Sequence, residues 1–262
     1  KEPRALHGRA DLDLEVHGPP KDPTFAVTAL GTDLGYEAPG RTVLLHYDMH
    51  TISVSAHGTK DAIQVDELRV DAGDGGEAIA RATIVRDPAT GQFRAEDGTI
   101  VSEALSLATV LRSTDAAPTP WVDMAMDAEI AFEGPLNPLQ LSGTYALAVA
   151  DYTVGDRPID DPAVRDILYI PWGTAEGTLV MYKDHLDLVG DRLRTPRNRG
   201  DFVARIDFPD GGALDLSLNL PQADLQDFGP LGGARLTGHG VLRGRMWGPF
   251  KTMQFDGFGD LR

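Results

Sequence analysis

Residues 121–138 read Trp-Val-Asp-Met-Ala-Met-Asp-Ala-Glu-Ile-Ala-Phe-Glu-Gly-Pro-Leu-Asn-Pro. Val122, Met124, Met126, Ala128, Ile130 and Phe132 recur at every second position, with Asp123, Asp127, Glu129 and Glu133 between them. Successive strand side chains point to opposite faces, so this pattern makes a long strand with one apolar and one acidic face. On a helix the same spacing would place apolar groups all round the axis instead of on one stripe. Gly134-Pro135 ends the run, because proline cannot donate to a ladder and glycine tolerates the turn.

The unit recurs twice. Before Gly18-Pro19 stand Leu6, Gly8, Ala10, Leu12, Leu14 and Val16, alternating with Arg9, Asp11, Asp13 and Glu15. Before Gly248-Pro249 stand Leu236, Gly238, Gly240, Leu242, Gly244 and Met246, alternating with Thr237, His239, Arg243 and Arg245. The Gly-Pro pairs lie 116 and 114 residues apart. A fainter echo links Ile63-Gln-Val65 and Ala80-Arg81 to Leu186-Asp-Leu188 and Ala204-Arg205. These spacings predict one elongated, repetitive β domain over 1–262, with units at 1–120 and 121–233 and a third opening at 234–262.

Further strands are predicted along the whole chain. They include 24–29, 42–47, 52–56, 63–70, 78–85, 139–154, 177–182, 185–193, 202–208 and 213–220, separated by glycine-rich turns. In the last of these Leu214, Leu216, Leu218 and Leu220 alternate with Asp215, Ser217 and Asn219. Residues 99–111 fit a strand or a capped helix. Asp161-Pro162 offers a helix start, which predicts a short helix over 162–168, and 223–228 fits one helical turn. The total is about sixteen strands and two or three short helices.

The composition narrows the function. Twenty-nine glycines and 18 prolines suit many short connections. With no cysteine, disulfides, zinc-thiolate sites and cysteine nucleophiles are excluded. A net charge of −16 argues against nucleic acid and against anionic lipid head groups as partners. No apolar run approaches the ~20 residues of a membrane span. With no initiator Met and no signal peptide, the chain reads as a segment cut from a longer protein.

So many one-sided strands create a physical problem. Each apolar face must be buried against another layer, and two or three short helices cannot cover about sixteen strands. Either the sheet folds over on itself, or the apolar face lines a groove. Sixteen strands side by side would extend roughly 75 Å, and an apolar strip of that length would need a ligand.

Leu214 to Phe228, followed by Ala234-Arg-Leu-Thr-Gly-His-Gly-Val-Leu-Arg-Gly-Arg-Met-Trp-Gly-Pro-Phe250, resembles the repeats of the TamB and AsmA-like envelope proteins. Gly134-Pro-Leu-Asn-Pro-Leu139 and Gly18-Pro-Pro-Lys-Asp-Pro-Thr-Phe25 fit the same ending, whereas 156–171 and 194–199 depart from it. The resemblance implies a long β-sheet curled into a U-shaped, taco-like trough with an apolar interior. It implies an inner-membrane-anchored protein of the periplasm that passes phospholipid toward the outer membrane, with an outer-membrane barrel protein as a further partner. On that reading the groove is lined by Leu12, Leu14 and Val16, then Val122, Met124, Met126, Ile130 and Phe132. Leu214, Leu216, Leu218, Leu242 and Met246 continue it. The function expected is a passive, non-enzymatic phospholipid conduit without cofactor or metal.

Other chemistry finds less support in the residues. His46, Asp48 and His50 share a strand face but lack a fourth ligand for a metal. Asp71 to Glu77 is an acidic, glycine-rich stretch without the ligand spacing of a calcium loop, and reads as a turn. Arg199-Gly200-Asp201 is a chance tripeptide. Asp11/Asp13 and Asp127/Glu129 read as solvated carboxylates, not a glycosidase pair. The alternatives are a closed β-sandwich or solenoid acting as scaffold or adhesin and, more remotely, a carbohydrate-active solenoid.

Overall fold

The computed structural model describes residues 5–38, 41–43, 50–113, 120–208, 212–228, 237–249 and 254–261. They form β1 (Ala5–His17), β2 (Thr24–Ala38), β3 (Arg41–Val43), β4 (Thr51–Thr59), β5 (Ala62–Asp71), β6 (Glu77–Arg86) and β7 (Phe93–Ser106). After helix α1 (Leu107–Ser113) come β8 (Val122–Pro135), β9 (Gln140–Gly155), β10 (Asp166–Tyr182) and β11 (His185–Arg194). The last four are β12 (Arg199–Asp207), β13 (Ala213–Asp224), β14 (His239–Pro249) and β15 (Gln254–Leu261). Two 3-10 turns, Gly73–Gly75 and Leu225–Phe228, complete the elements.

All strands belong to one antiparallel sheet, in which each is hydrogen-bonded to its neighbours in sequence and β3 pairs only with β2. The sheet is curled and unclosed: β1 stands at one end of the order and β15 at the other. The chain zigzags between two rims. One rim carries tight turns, such as Lys60-Asp61 and Lys183-Asp184. The other carries α1, both 3-10 turns and the longer connections.

Local chemistry builds the tight turns. Gly18, Gly134 and Gly248, the glycines of the three Gly-Pro pairs, all have positive φ (91°, 142° and 113°), where a side chain is disfavoured. Thr59 Oγ1 accepts the backbone N–H groups of Asp61 and Ala62, both at 3.2 Å, and closes the two-residue turn beside it. Asp87 Oδ1 accepts those of Ala89 (2.8 Å) and Thr90 (3.3 Å). The Ala89 hydrogen bond is the main reason the Asp87 carboxyl sits below its usual range.

Several strands contain one-residue slips. Asp33, Asp97, Ala104 and Asp151 have φ near 50°, and three of these four are aspartates, which tolerate that region better than most residues. On β9 the alternation holds to Ala150, where two consecutive exposed residues, Ala150 and Asp151, reverse the phase. The register to β8 shifts at the same level. Across the ladder Pro171 and Trp172 are likewise both exposed. The two reversals keep the apolar side chains of both strands on one face.

Residues 99–111 divide between the two readings: the strand runs to Ser106 and the helix begins at Leu107. Asp123 caps that helix, its Oδ1 accepting from Ser106 Oγ (2.9 Å) and the Ala108 N–H (3.0 Å). The helical turn expected at 223–228 is the 3-10 turn Leu225–Phe228. The helix expected over 162–168 does not form. Asp161 does accept the Ala163 N–H (2.8 Å), but Asp156 Oδ1 takes the Arg165 N–H (3.0 Å) and ties the segment into a closed loop. Residues 166–182 are then strand. Of the predicted strand 42–47, β3 covers the start and residues 44–47 lie outside the described residues.

Candidate functional site

Cross-strand partners share a face, so the ladder registers can be followed across the whole sheet. One such row starts at Leu12, Ala29, Val54, Leu68, Ala80, Ile100 and Ile130. It continues through Tyr145, Gly177, Gly190, Phe202, Leu218, Gly244 and Gly257. The row crosses fourteen strands, every strand except β3, without a charged side chain. At ~4.8 Å per strand it is roughly 60 Å long.

A parallel row runs Ala10, Gly31, Ile52, Val70, Ala78, Ser102, Ala128, Leu147, Ala175, Leu193 and Gly200. Its one polar member, Ser102, donates its hydroxyl to the Met126 carbonyl at 3.1 Å. A third row, Phe132, Gly143, Leu179, Leu188, Ala204, Leu216 and Met246, is wholly apolar. The rows together cover about 20 Å of strand length, on the order of 1,200 Å² in plan. Soluble proteins seldom leave more than a few hundred Å² of contiguous apolar surface uncovered.

The opposite face carries charge. Arg69 bridges Glu67 (3.2 Å) and Glu77 (3.0 Å), Arg81 reaches Glu67 (3.2 Å), and Arg245 forks onto both oxygens of Asp215 (2.8 and 2.7 Å). That fork holds the Asp215 carboxyl below its usual range. Such exposed pairs add little stability but mark the side that meets water.

Among the described residues no second layer fills in the apolar face. The chain exposes 15830 Å², against roughly 11,200 Å² for a compact globular protein of 28.2 kDa. The fully buried apolar residues among those described are mostly alanines. The large ones are Leu141, Tyr145, Leu179, Leu220 and Leu225. In a sandwich every inward side chain would be covered by the facing sheet. A buried cluster lies mid-sheet, where Tyr145, Ala175 and Leu179 pack against Ile130, Leu147, Leu186, Leu188, Leu193 and Phe202.

Glycines on this face make room for rings. A Cβ on Gly98 would overlap the ring of Phe132, and one on Gly190 the ring of Phe202. Tyr145 stands opposite Gly177 and reaches the Val189 carbonyl with its hydroxyl at 3.4 Å. Burial, then the charge of Asp191, pushes that phenol up to about 12, so it stays a donor. The rings therefore lie along the sheet instead of standing away from it.

All of the lining residues expected from the sequence are in strands, and the structure places them as follows. Leu12, Leu14 and Val16 are 70 %, 57 % and 61 % exposed on β1, opposite Ala29, Val27 and Phe25. Val122, Met124, Met126, Ile130 and Phe132 are half-buried on β8, with Met124 at the slip between Asp123 and Ala125. Leu214, Leu216 and Leu218 face Ile206, Ala204 and Phe202 on one side, and Gly248, Met246 and Gly244 on the other. Leu242 stands opposite Leu220. Tyr145, Phe202, Val54 and Ile100 also line this face. Glycines stand opposite Tyr145 and Phe202 and slips flank Ile100, which hides their phase in the sequence, whereas the alternation of Ile52, Val54 and Ala56 is the signal that marks Val54.

His46 and Asp48 lie outside the described residues. Among the described residues no three His, Asp or Glu side chains gather in metal-ligating geometry, and no helix is long and apolar enough to cross a membrane. Asp71 to Glu77 contains a 3-10 turn, with Asp71 Oδ1 accepting the Gly73 N–H (2.7 Å). Arg199 to Asp201 is part of β12. Comparison with protein-family models, with curated proteins and with solved structures returns no match to this chain.

Proposed function

We propose that the chain is a wall of a trough that holds phospholipid by its acyl chains and lets it move along the strand-to-strand direction without chemical change. The supporting observation is the uncharged row from Leu12 to Gly257, unbroken across fourteen strands and only partly covered. A face of that size in water demands an apolar occupant. Acyl chains suit it because they are themselves long, flexible and featureless, and the row offers no directional polar group that would hold one ligand in one place. Movement between inner and outer membranes, a periplasmic setting and a barrel partner complete this reading through the resemblance of the 214–250 and Gly-Pro segments. A closed scaffold or adhesin is the competing reading, and it requires the half-exposed face to be covered in solution.

Photo-crosslinking tests the proposal. A photoreactive residue at Met126 should capture lipid. Asp127 is a poor control, because its carboxylate accepts the Ala104 N–H at 2.7 Å and holds a slip in β7. Glu129, exposed on the opposite face between Val101 and Ala146, is the better one. Equal lipid labelling at Met126 and Glu129, or none at Met126 in a folded protein, would refute the trough.

A further inference from the structure

The sequence has five lysines, Lys1, Lys21, Lys60, Lys183 and Lys251, against many more arginines. Lys1 and Lys251 lie outside the described residues. The other three all stand in tight turns on the same rim: Lys21 between β1 and β2, Lys60 between β4 and β5, and Lys183 between β10 and β11. All three are exposed. Each precedes an aspartate, but two of those carboxylates already have other partners. Asp61 pairs with Arg86 (3.6 Å), and Asp184 accepts a hydrogen bond from His185 (2.7 Å), which holds its carboxyl below the usual range. The three ammonium groups themselves have no ion pair or hydrogen bond among the described residues.

The opposite rim is different in two ways. Several of its arginines are already engaged: Arg112 with Asp160 (3.2 Å), Arg157 and Arg165 with Asp156 (both 3.2 Å), and Arg197 with Gln226 (2.7 Å). It is also partly roofed. The 3-10 turn Leu225–Phe228 reaches back across the sheet to β10, three strands from its own β13, and Leu220, Ala223 and Leu225 are buried there. Helix α1 occupies the same rim beside β7 and β8, with Ala108 and Thr109 buried.

We infer that the tight-turn rim is the head-group rim, where Lys21, Lys60 and Lys183 meet the phosphate of a phospholipid whose chains lie on the apolar face. This rests on the trough reading above. Lysine suits the role: its ammonium is a mobile point charge on an apolar stem that can follow a passing phosphate, whereas arginine's planar fork favours fixed, bidentate partners. The dimensions agree. A bilayer core of ~30 Å holds two chain lengths, so each acyl chain is about 15 Å long. Strands of 9 to 17 residues flank these turns and span roughly 30 to 55 Å, so a head group at this rim leaves its chains wholly on the apolar face. Each lysine is followed by an aspartate, so the three turns together add nothing to the −16 charge of the chain. That local neutrality suits a zwitterionic head group better than an anionic one.

The test compares wild type with the K21Q/K60Q/K183Q variant. Both are loaded from phosphatidylcholine vesicles carrying a trace of fluorescent phosphatidylcholine, or a fluorescent diacylglycerol with the same chains but no phosphate. The variant should load phosphatidylcholine roughly two- to fivefold less well, the range of one exposed ionic contact. It should load diacylglycerol as wild type does, and the corresponding arginine variant should recover most of the loss. Added salt should weaken wild-type phosphatidylcholine loading toward the variant's level. The substituted lysines make no ion pair or hydrogen bond among the described residues, so melting should be unchanged. Equal phosphatidylcholine loading by the two proteins, or equal loss of both lipids in the variant, overturns the head-group assignment while the trough stands. Displacement of phosphatidylcholine by millimolar inorganic phosphate also overturns it, by showing that the lysines take free phosphate. A wild-type chain that loads neither lipid overturns the trough, and this inference with it.

Discussion

Replacing Leu14 and Leu220 by aspartate, one at a time, separates an uncovered face from a closed core. Both leucines lie on the apolar face, Leu14 opposite Val27 and Leu220 opposite Leu242. Their surroundings differ greatly, since Leu14 is 57 % exposed and Leu220 only 1 %. Full burial of a leucine contributes about 1.5–3 kcal/mol, so the covered part of Leu14 contributes roughly 1 kcal/mol. A carboxylate there keeps most of its water, and Leu14→Asp should cost about that much. At Leu220 the same change removes the whole contribution and also puts an unpaired charge where no water reaches, which costs several kcal/mol more. The sum, above ~5 kcal/mol, approaches the entire stability of an ordinary domain. Urea unfolding of the two variants measures both losses. Leu14→Asp should shift the midpoint slightly, and Leu220→Asp should leave little folded protein. Two losses of similar, large size would mean that Leu14 is covered in solution by a second layer, and the uncovered face would be wrong.

Other perturbations probe the supports of that face. Gly190→Val should destabilise by about 1–3 kcal/mol, because its side chain must displace the Phe202 ring, and Phe202→Ala in the same chain should recover part of the loss; thermal melts of the single and double variants check this. Asn198→Ala should cost about 1–3 kcal/mol by stranding the buried Asp224 N–H that Asn198 Oδ1 accepts at 2.8 Å, and hydrogen exchange at Asp224 and Leu225 should quicken. Asp156 gives a pH test. The Arg165 N–H first, then the guanidinium of Arg157, holds its carboxyl below 3.8. A depressed carboxyl pKa stabilises the fold above the unfolded value and loses that contribution as pH falls through the folded one. Wild type should therefore lead Asp156→Asn at neutral pH and converge on it below about pH 3.8, as followed by acid unfolding.

Much of the architecture was legible in the chain because alternation is a local property. Val122 to Phe132, Leu12 to Val16 and Leu214 to Leu220 each show their apolar face without knowledge of any partner. The Gly-Pro pairs are legible for a similar reason, since positive φ at Gly18, Gly134 and Gly248 is a demand that few other residues meet. Where the pattern slips by one residue, local reading fails. Asp97, Ala104 and Asp151 each reverse the phase of their strand, and nothing in their neighbours distinguishes such an aspartate or alanine from an ordinary outward one. The absent helix at 162–168 has the same origin: its start signal is real, but Asp156, five residues upstream of Asp161, competes for the backbone and wins.

The sequence by itself determined that the chain is a succession of one-sided strands with an unbroken apolar face, because side-chain direction follows from the two-residue period alone. Only the tertiary structure decided that these faces join into one row, that among the described residues no second layer fills it in, and that the two rims are unlike. Each of those depends on which residue stands opposite which across the ladder and on where a connection folds back. Leu14 and Leu220 are identical in sequence pattern; their difference in burial comes from the open edge beside one and the roofing turn beside the other.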